Sequence, residues 1–151
     1  MLDNTAILLA TTSSPPEVVQ LLIDRGADLH LKAAGGWTPI HLAFDNAMTT
    51  RILMKSGADV NHIANNSTPL LLAVEDNQIN VVGVLLSFGP NLEVNFSNEY
   101  TALGVAATRG YVDIVRLLLE AGANVYAVAE RNSSPLQYAV CFDKEDIVRV
   151  L

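Results

Sequence analysis

Short apolar runs alternate with polar, glycine-bearing stretches along the whole chain, as in Ile7-Leu8-Leu9-Ala10 and Leu70-Leu71-Leu72-Ala73-Val74. Between Val112 and Ala121, the apolar residues Val112, Val115, Leu118 and Leu119 recur at helical spacing. That spacing places them on one buried stripe of a helix. Gly122 follows, where a left-handed C-terminal cap belongs. Thr38-Pro39 and Thr68-Pro69 read as helix starts. The hydroxyl can cap orphan N–H groups, and proline is tolerated at the first helical position because its missing N–H has no partner there anyway. Ser14-Pro15-Pro16-Glu17 reads as a capping box that opens a second helix.

These signals repeat. Thr38-Pro39-Ile40-His41-Leu42-Ala43, Thr68-Pro69-Leu70-Leu71-Leu72-Ala73, Thr101-Ala102-Leu103-Gly104-Val105-Ala106 and Ser134-Pro135-Leu136-Gln137-Tyr138-Ala139 align, with Thr5-Ala6-Ile7-Leu8-Leu9-Ala10 as a degraded fifth copy. Successive copies start 33, 30, 33 and 33 residues apart. Gly26-Ala27-Asp28-Leu29, Gly57-Ala58-Asp59-Val60, Gly89-Pro90-Asn91-Leu92 and Gly122-Ala123-Asn124-Val125 form a second series locked to the first. Alanine recurs at one repeat position (Ala10, Ala43, Ala73, Ala106, Ala139), where a small side chain lets helices approach closely. One such unit cannot bury its apolar face alone, so neighbours must stack.

A 33-residue unit carrying Thr-Pro-Leu-His-x-Ala resembles the ankyrin repeat. The resemblance covers the whole chain and implies an all-α solenoid, helix-turn-helix units joined by β-hairpin loops such as Asn95 to Glu99. The repeats are read as 3–35, 36–65, 66–98, 99–131 and a partial 132–151, in a single domain. The chain departs from the pattern in the second repeat, where Thr38 to Gly57 spans 19 residues against 21 in its neighbours. The loss falls around Asp45 to Thr49, and Thr49-Thr50 stand where Val81-Val82 and Ile114-Val115 stand elsewhere. Two hydroxyls in place of buried methyls are expected to make this the least stable interior repeat. Both ends read as unfinished, as in a piece of a longer array: apolar Ile7, Leu8 and Leu9 open the chain, and Leu151 falls inside a helix.

Composition narrows the function. The net charge of −7, with nine Lys plus Arg, lacks the clustered basic residues that a phosphate backbone requires. Mean hydropathy is +0.30, yet no apolar run approaches the roughly 18 residues of a membrane span. No signal-peptide pattern opens the chain, and the lone Cys141 fits a reducing compartment, so an intracellular, cytoplasmic location is expected. The sequons at Asn65, Asn66, Asn95 and Asn132 then count only as loop polarity. No metal-ligand spacing, P-loop or nucleophile elbow occurs, so neither catalysis nor a cofactor is expected. His41 falls in the repeat motif, where the family uses the imidazole to tie hairpin backbone together.

The resemblance therefore implies a protein-binding module whose partner docks on a concave face of hairpin tips and first helices. Mapped residue by residue, the tips are Lys32, Ala34, Trp37, Asn65, Ser67, Asn98, Tyr100, Glu130, Arg131 and Ser133. The first helices and following turns add Asp45, Glu75, Asp76, Thr108, Arg109 and Phe142. Trp37 and Tyr100 precede the motif threonines and are the aromatic anchor candidates, unless they simply pack along the hairpin. Asp45, Glu75 and Asp76 would favour a basic partner segment, with Arg109 pairing either with that partner or with Asp76. Two alternatives stand beside this reading: a recognition arm of a larger protein with catalysis elsewhere, or self-association through the open ends.

Overall fold

The computed structural model describes residues 5–95, 100–127 and 133–151. Ten α-helices run through them in five pairs: α1 (Ala6–Ser13) with α2 (Pro16–Asp24), α3 (Pro39–Leu42) with α4 (Ala47–Lys55), α5 (Pro69–Glu75) with α6 (Ile79–Leu86), α7 (Ala102–Arg109) with α8 (Val112–Glu120), and α9 (Pro135–Cys141) with α10 (Glu145–Val150). First helices stack in the order α1, α3, α5, α7, α9, and second helices stack beside them as α2, α4, α6, α8, α10. The predicted all-α solenoid is what forms.

Its helix starts follow from the motif hydroxyls. Thr68 Oγ1 accepts from Leu71 N at 3.3 Å, and Thr101 Oγ1 accepts from Gly104 N at 3.2 Å. Ser134 and Gln137 close a reciprocal capping box. The box expected at Ser14 does not form. Pro15 occupies the cap position, Ser14 is extended at φ −120°, and α2 starts at Pro16, so Glu17 lies one position too early to reach back. At the other end of each unit Gly122 and its equivalents take positive φ, and Ala123 N donates back to Leu118 O at 2.9 Å.

The motif alanines Ala43, Ala73, Ala106 and Ala139 are fully buried, which allows the close stacking. Burial also assigns a direction to each position. The sites of Thr49, Val81, Ile114 and Ile147 are buried, whereas their counterpart Val18 in the first pair is exposed; this position packs on the preceding repeat. The sites of Val19, Thr50, Val82 and Val115 are buried, whereas Val148 in the last pair is exposed; this position packs on the following repeat.

The two-residue loss in the second repeat has a local solution. In the last three repeats the buried alanine carbonyl accepts from a backbone N–H five residues on: Gln78 N to Ala73 O at 2.8 Å, Tyr111 N to Ala106 O at 3.0 Å, Lys144 N to Ala139 O at 2.8 Å. A left-handed residue precedes each donor, namely Asn77, Gly110 and Asp143. The shortened turn has no such residue. Ala43 O instead accepts from Asn46 N at 3.0 Å and from the Thr50 hydroxyl at 2.9 Å. Asn46 also caps α4 by accepting from Thr49 N at 3.0 Å. Thr50 thus replaces a lost backbone donor, so only Thr49 keeps the expected liability: its Oγ1 is buried without a partner.

Candidate functional site

The hairpin tips are built differently from one another. Asn65 and Asn66 both take positive φ, as a two-residue type I′ turn requires, and Ala64 pairs with Ser67 across them. The preceding tip is a 3₁₀ turn, Ala34–Gly36, closed by Ala33 N donating to Trp37 O at 2.7 Å. The two tips touch. With its amide turned to meet its neighbours, Asn65 donates to Gly35 O at 3.2 Å and accepts from Trp37 Nε1 at 2.8 Å. Gly35 sits at φ +75°, and a Cβ there would lie 2.4 Å from the Asn65 amide. Glycine is what permits this approach.

Trp37 is therefore a half-buried bridge between tips. Its ring also leans on His41, with centroids 6.1 Å apart. Tyr100 is likewise half-buried, tilted onto the buried ring of Tyr138 in the next repeat at 4.7 Å. Both aromatics join adjacent repeats, and neither is a free side chain. Lys32 and Asn65 are exposed at their tips. Asn98 and Arg131, with Glu130, lie outside the described residues.

His41 is buried in the same cluster. Nδ1 faces the Thr38 hydroxyl at 2.9 Å, and Nε2 faces His62 O at 3.0 Å. The carbonyl can only accept, so these partners assign the neutral ring with its proton on Nε2. Burial lowers the His41 pKa from 6.5 to about 4, and the neighbouring His62 pushes in the same direction. The imidazole ties its own helix start to the next hairpin, as the repeat motif implied.

Along the ends of the first helices runs a row of charged side chains. Asp45 and Asp76 are exposed, and neither has an ion-pair partner among the described residues. Arg109 reaches back across the repeat boundary to Glu75, with Nη2 to Oε1 at 3.3 Å. It pairs with Glu75, the last residue of α5, and not with Asp76 at the cap. The pair is solvated, so it contributes ~0–1 kcal/mol. Thr108 bonds its own helix through Val105 O at 2.8 Å. Phe142 caps α9 and is half exposed. The row carries Asp45, Glu75 and Asp76 against Arg109, an acidic excess.

Sequence reasoning missed the staples between the loops that follow the second helices. Asn61 Oδ1 accepts from Asn91 N at 2.7 Å, and Glu93 Oε1 accepts from Asn124 N at 3.0 Å, each joining consecutive repeats. Both acceptors stand two residues after the Asp or Asn of the second motif series, a register visible in the sequence once the period is known. The first repeat has His30 there.

Among known proteins, a family model described as ankyrin repeats matches in three overlapping copies, over residues 7–95, 45–129 and 89–151. The chain is similar to the B-cell lymphoma 3 protein homolog of Mus musculus, 32% identical over 97% of this chain and 34% of that protein. It is similar to the ankyrin repeat and KH domain-containing protein mask-1 of Caenorhabditis elegans, 33% identical over 98% of this chain and 6% of that protein. It also resembles the tyrosine-protein kinase HTK16 of Hydra vulgaris, 26% identical over 97% of this chain and 20% of that protein. The chain thus spans about a third, or less, of the length of each of these relatives.

Proposed function

The chain belongs to the ankyrin-repeat family, whose repeats generally mediate protein–protein interaction, and from that premise we propose that it is a binding module for a partner protein carrying a basic segment. The observation that carries this reading is the row at the ends of the first helices. Asp45 and Asp76 are exposed and without an ion-pair partner among the described residues, Glu75 holds Arg109 through a solvated contact, and Phe142 offers an exposed aromatic at the end of the same row. Such a surface steers a cationic segment toward it and rejects an acidic one. Binding proceeds by complementarity of a preformed surface, with no cofactor and no catalytic step. Trp37 and Tyr100 contribute chiefly by holding neighbouring tips in register, so the partner reads a surface whose spacing they set.

The test is capture from a lysate by the parent chain and by an Asp45→Lys, Asp76→Lys variant, both matched for thermal melting. Loss of a protein that the parent retains, together with weaker retention at high salt, supports the acidic row. Equal retention by both forms overturns it.

A second reading is favoured by the tyrosine-protein kinase HTK16, of which the stretch similar to this chain is 20%. In that case the chain is the recognition arm of a larger enzyme, and the same acidic row selects its substrate or regulator. Finding a catalytic domain in the same polypeptide would favour this version.

A further inference from the structure

Between the third and fourth repeats, the two turns that join first to second helices leave a cleft of about 320 Å³, lined by Asn77, Ile79, Gly110, Tyr111, Val112 and Asp113. Asp76 directly precedes Asn77 and Arg109 directly precedes Gly110, so the cleft adjoins the acidic row. Ile79 is 38% exposed, Tyr111 and Val112 are half-buried, and Asp113 is exposed. Asp113 has no ion-pair partner among the described residues, and the row's own cation, Arg109, is held on Glu75.

The same cleft recurs one repeat on. Shifted by 33 residues, its lining includes Gly110, Val112, Asp143, Lys144, Glu145 and Asp146, and its volume is about 240 Å³. There Lys144 takes the position of Tyr111, and its stem lies against Gly110: a Cβ on that glycine would meet Lys144 Cδ at 3.2 Å. The chain thus lays its own long cationic side chain along a cleft that three acidic residues line. The larger cleft has no cation among its lining residues. We propose that it anchors the basic segment attracted by the acidic row, taking one lysine or arginine side chain of the partner protein. This rests on the acidic-row reading and adds where the segment is held. The apolar stem of that side chain covers Ile79 and Val112, its charge faces Asp113 with Asp76 beside it, and Tyr111 supplies an aromatic ring. Lys144 lies beyond Gly110 among Asp143, Glu145 and Asp146, so the charge balance at both clefts favours an incoming cation.

The test is fluorescence anisotropy of a labelled oligo-lysine peptide at low salt, with an oligo-glutamate peptide as the reverse-charge probe. Tyr111→Lys installs here the residue that the next cleft already carries, and is expected to weaken oligo-lysine binding by roughly three- to thirtyfold. Asp113→Asn, at an exposed site, is expected to weaken it by up to about fivefold, and serves alone if circular dichroism shows that Tyr111→Lys melts early. Tyr126→Lys makes the same charge change in the loop after α8, at a residue 80% exposed, and is expected to alter binding less than about twofold. Lys144→Tyr is expected to strengthen binding by opening the second cleft. Equal affinity in the parent and both cleft variants overturns the cleft, and if Asp45→Lys in the second repeat still weakens binding, the row stands without it. Equal weakening by Tyr111→Lys and Tyr126→Lys also overturns the cleft, because net charge alone then accounts for binding. Loss in the cleft variants with none in Asp45→Lys supports the cleft and overturns the row. A parent that binds oligo-lysine no better than oligo-glutamate overturns both.

Discussion

Replacing Thr49 by valine is expected to stabilise the protein. Thr49 is fully buried in α4, and its Oγ1 has no hydrogen-bond partner. A buried, unpartnered hydroxyl costs about 1–3 kcal/mol, and a buried methyl in its place contributes about 0.8 kcal/mol. Valine has the same branched shape and a similar helix propensity, so no cavity opens and no new clash arises. The Thr49 backbone N–H keeps its bond to Asn46. A net gain of about 1–2 kcal/mol is expected, or roughly 2–8 °C in melting temperature for a chain of this size. The control is the adjacent Thr50→Val. There the hydroxyl satisfies Ala43 O at 2.9 Å, so its loss is expected to be neutral or to destabilise by about 1 kcal/mol. Urea unfolding at pH 7, followed by circular dichroism and compared at equal m-values, reads both effects. If Thr49→Val destabilises, or if the two variants behave alike, the assignment of an orphaned hydroxyl to Thr49 and a working one to Thr50 is refuted.

Stability should also depend on pH through His41. Its pKa is about 4 in the fold against 6.5 unfolded, so the unfolded chain takes up the proton first. The contribution is full above pH 6.5 and declines as pH falls toward about 4, by about 3 kcal/mol at most. The pH profile of His41→Gln should lack that decline, and a slope equal to the parent's would contradict the assignment. Gly35→Ala is expected to destabilise by about 1–2 kcal/mol because of its left-handed backbone. Expulsion of Asn65 should also shift the emission of Trp37, the one tryptophan in the chain; unchanged emission would show that the tips tolerate a Cβ. A double-mutant cycle on Glu75 and Arg109 should return no more than about 1 kcal/mol, and a larger coupling would mean the pair is less solvated than its exposure implies. Hydrogen exchange in residues 44–56 should run faster than in 108–121, since α3 is only four residues long and α4 carries the orphaned hydroxyl. Equal protection would show that the shortened turn compensates fully.

The sequence by itself determined the repeat, its family and most helix boundaries, because those rest on local rules. A hydroxyl at the N-cap position accepts from the N–H three residues on, as at Thr68, Thr101 and Ser134, proline starts helices, and apolar residues at helical spacing face a neighbour. The motif threonines, the buried alanines and Gly122 were legible for that reason. Tertiary structure decided everything that depends on which atoms meet across repeats. Thr50 looks like a lost methyl until Ala43 O is seen to lack a distant donor. Arg109 could reach two acidic neighbours by spacing alone, and only the structure shows that it takes Glu75. Trp37 and Tyr100 read as anchors for a partner, yet each is half occupied by the next repeat, through Asn65 and Tyr138. The Ser14 capping box failed for the related reason that two prolines moved the start of α2 by one residue. Periodicity says that a face is buried; only the stacked neighbours say on which side.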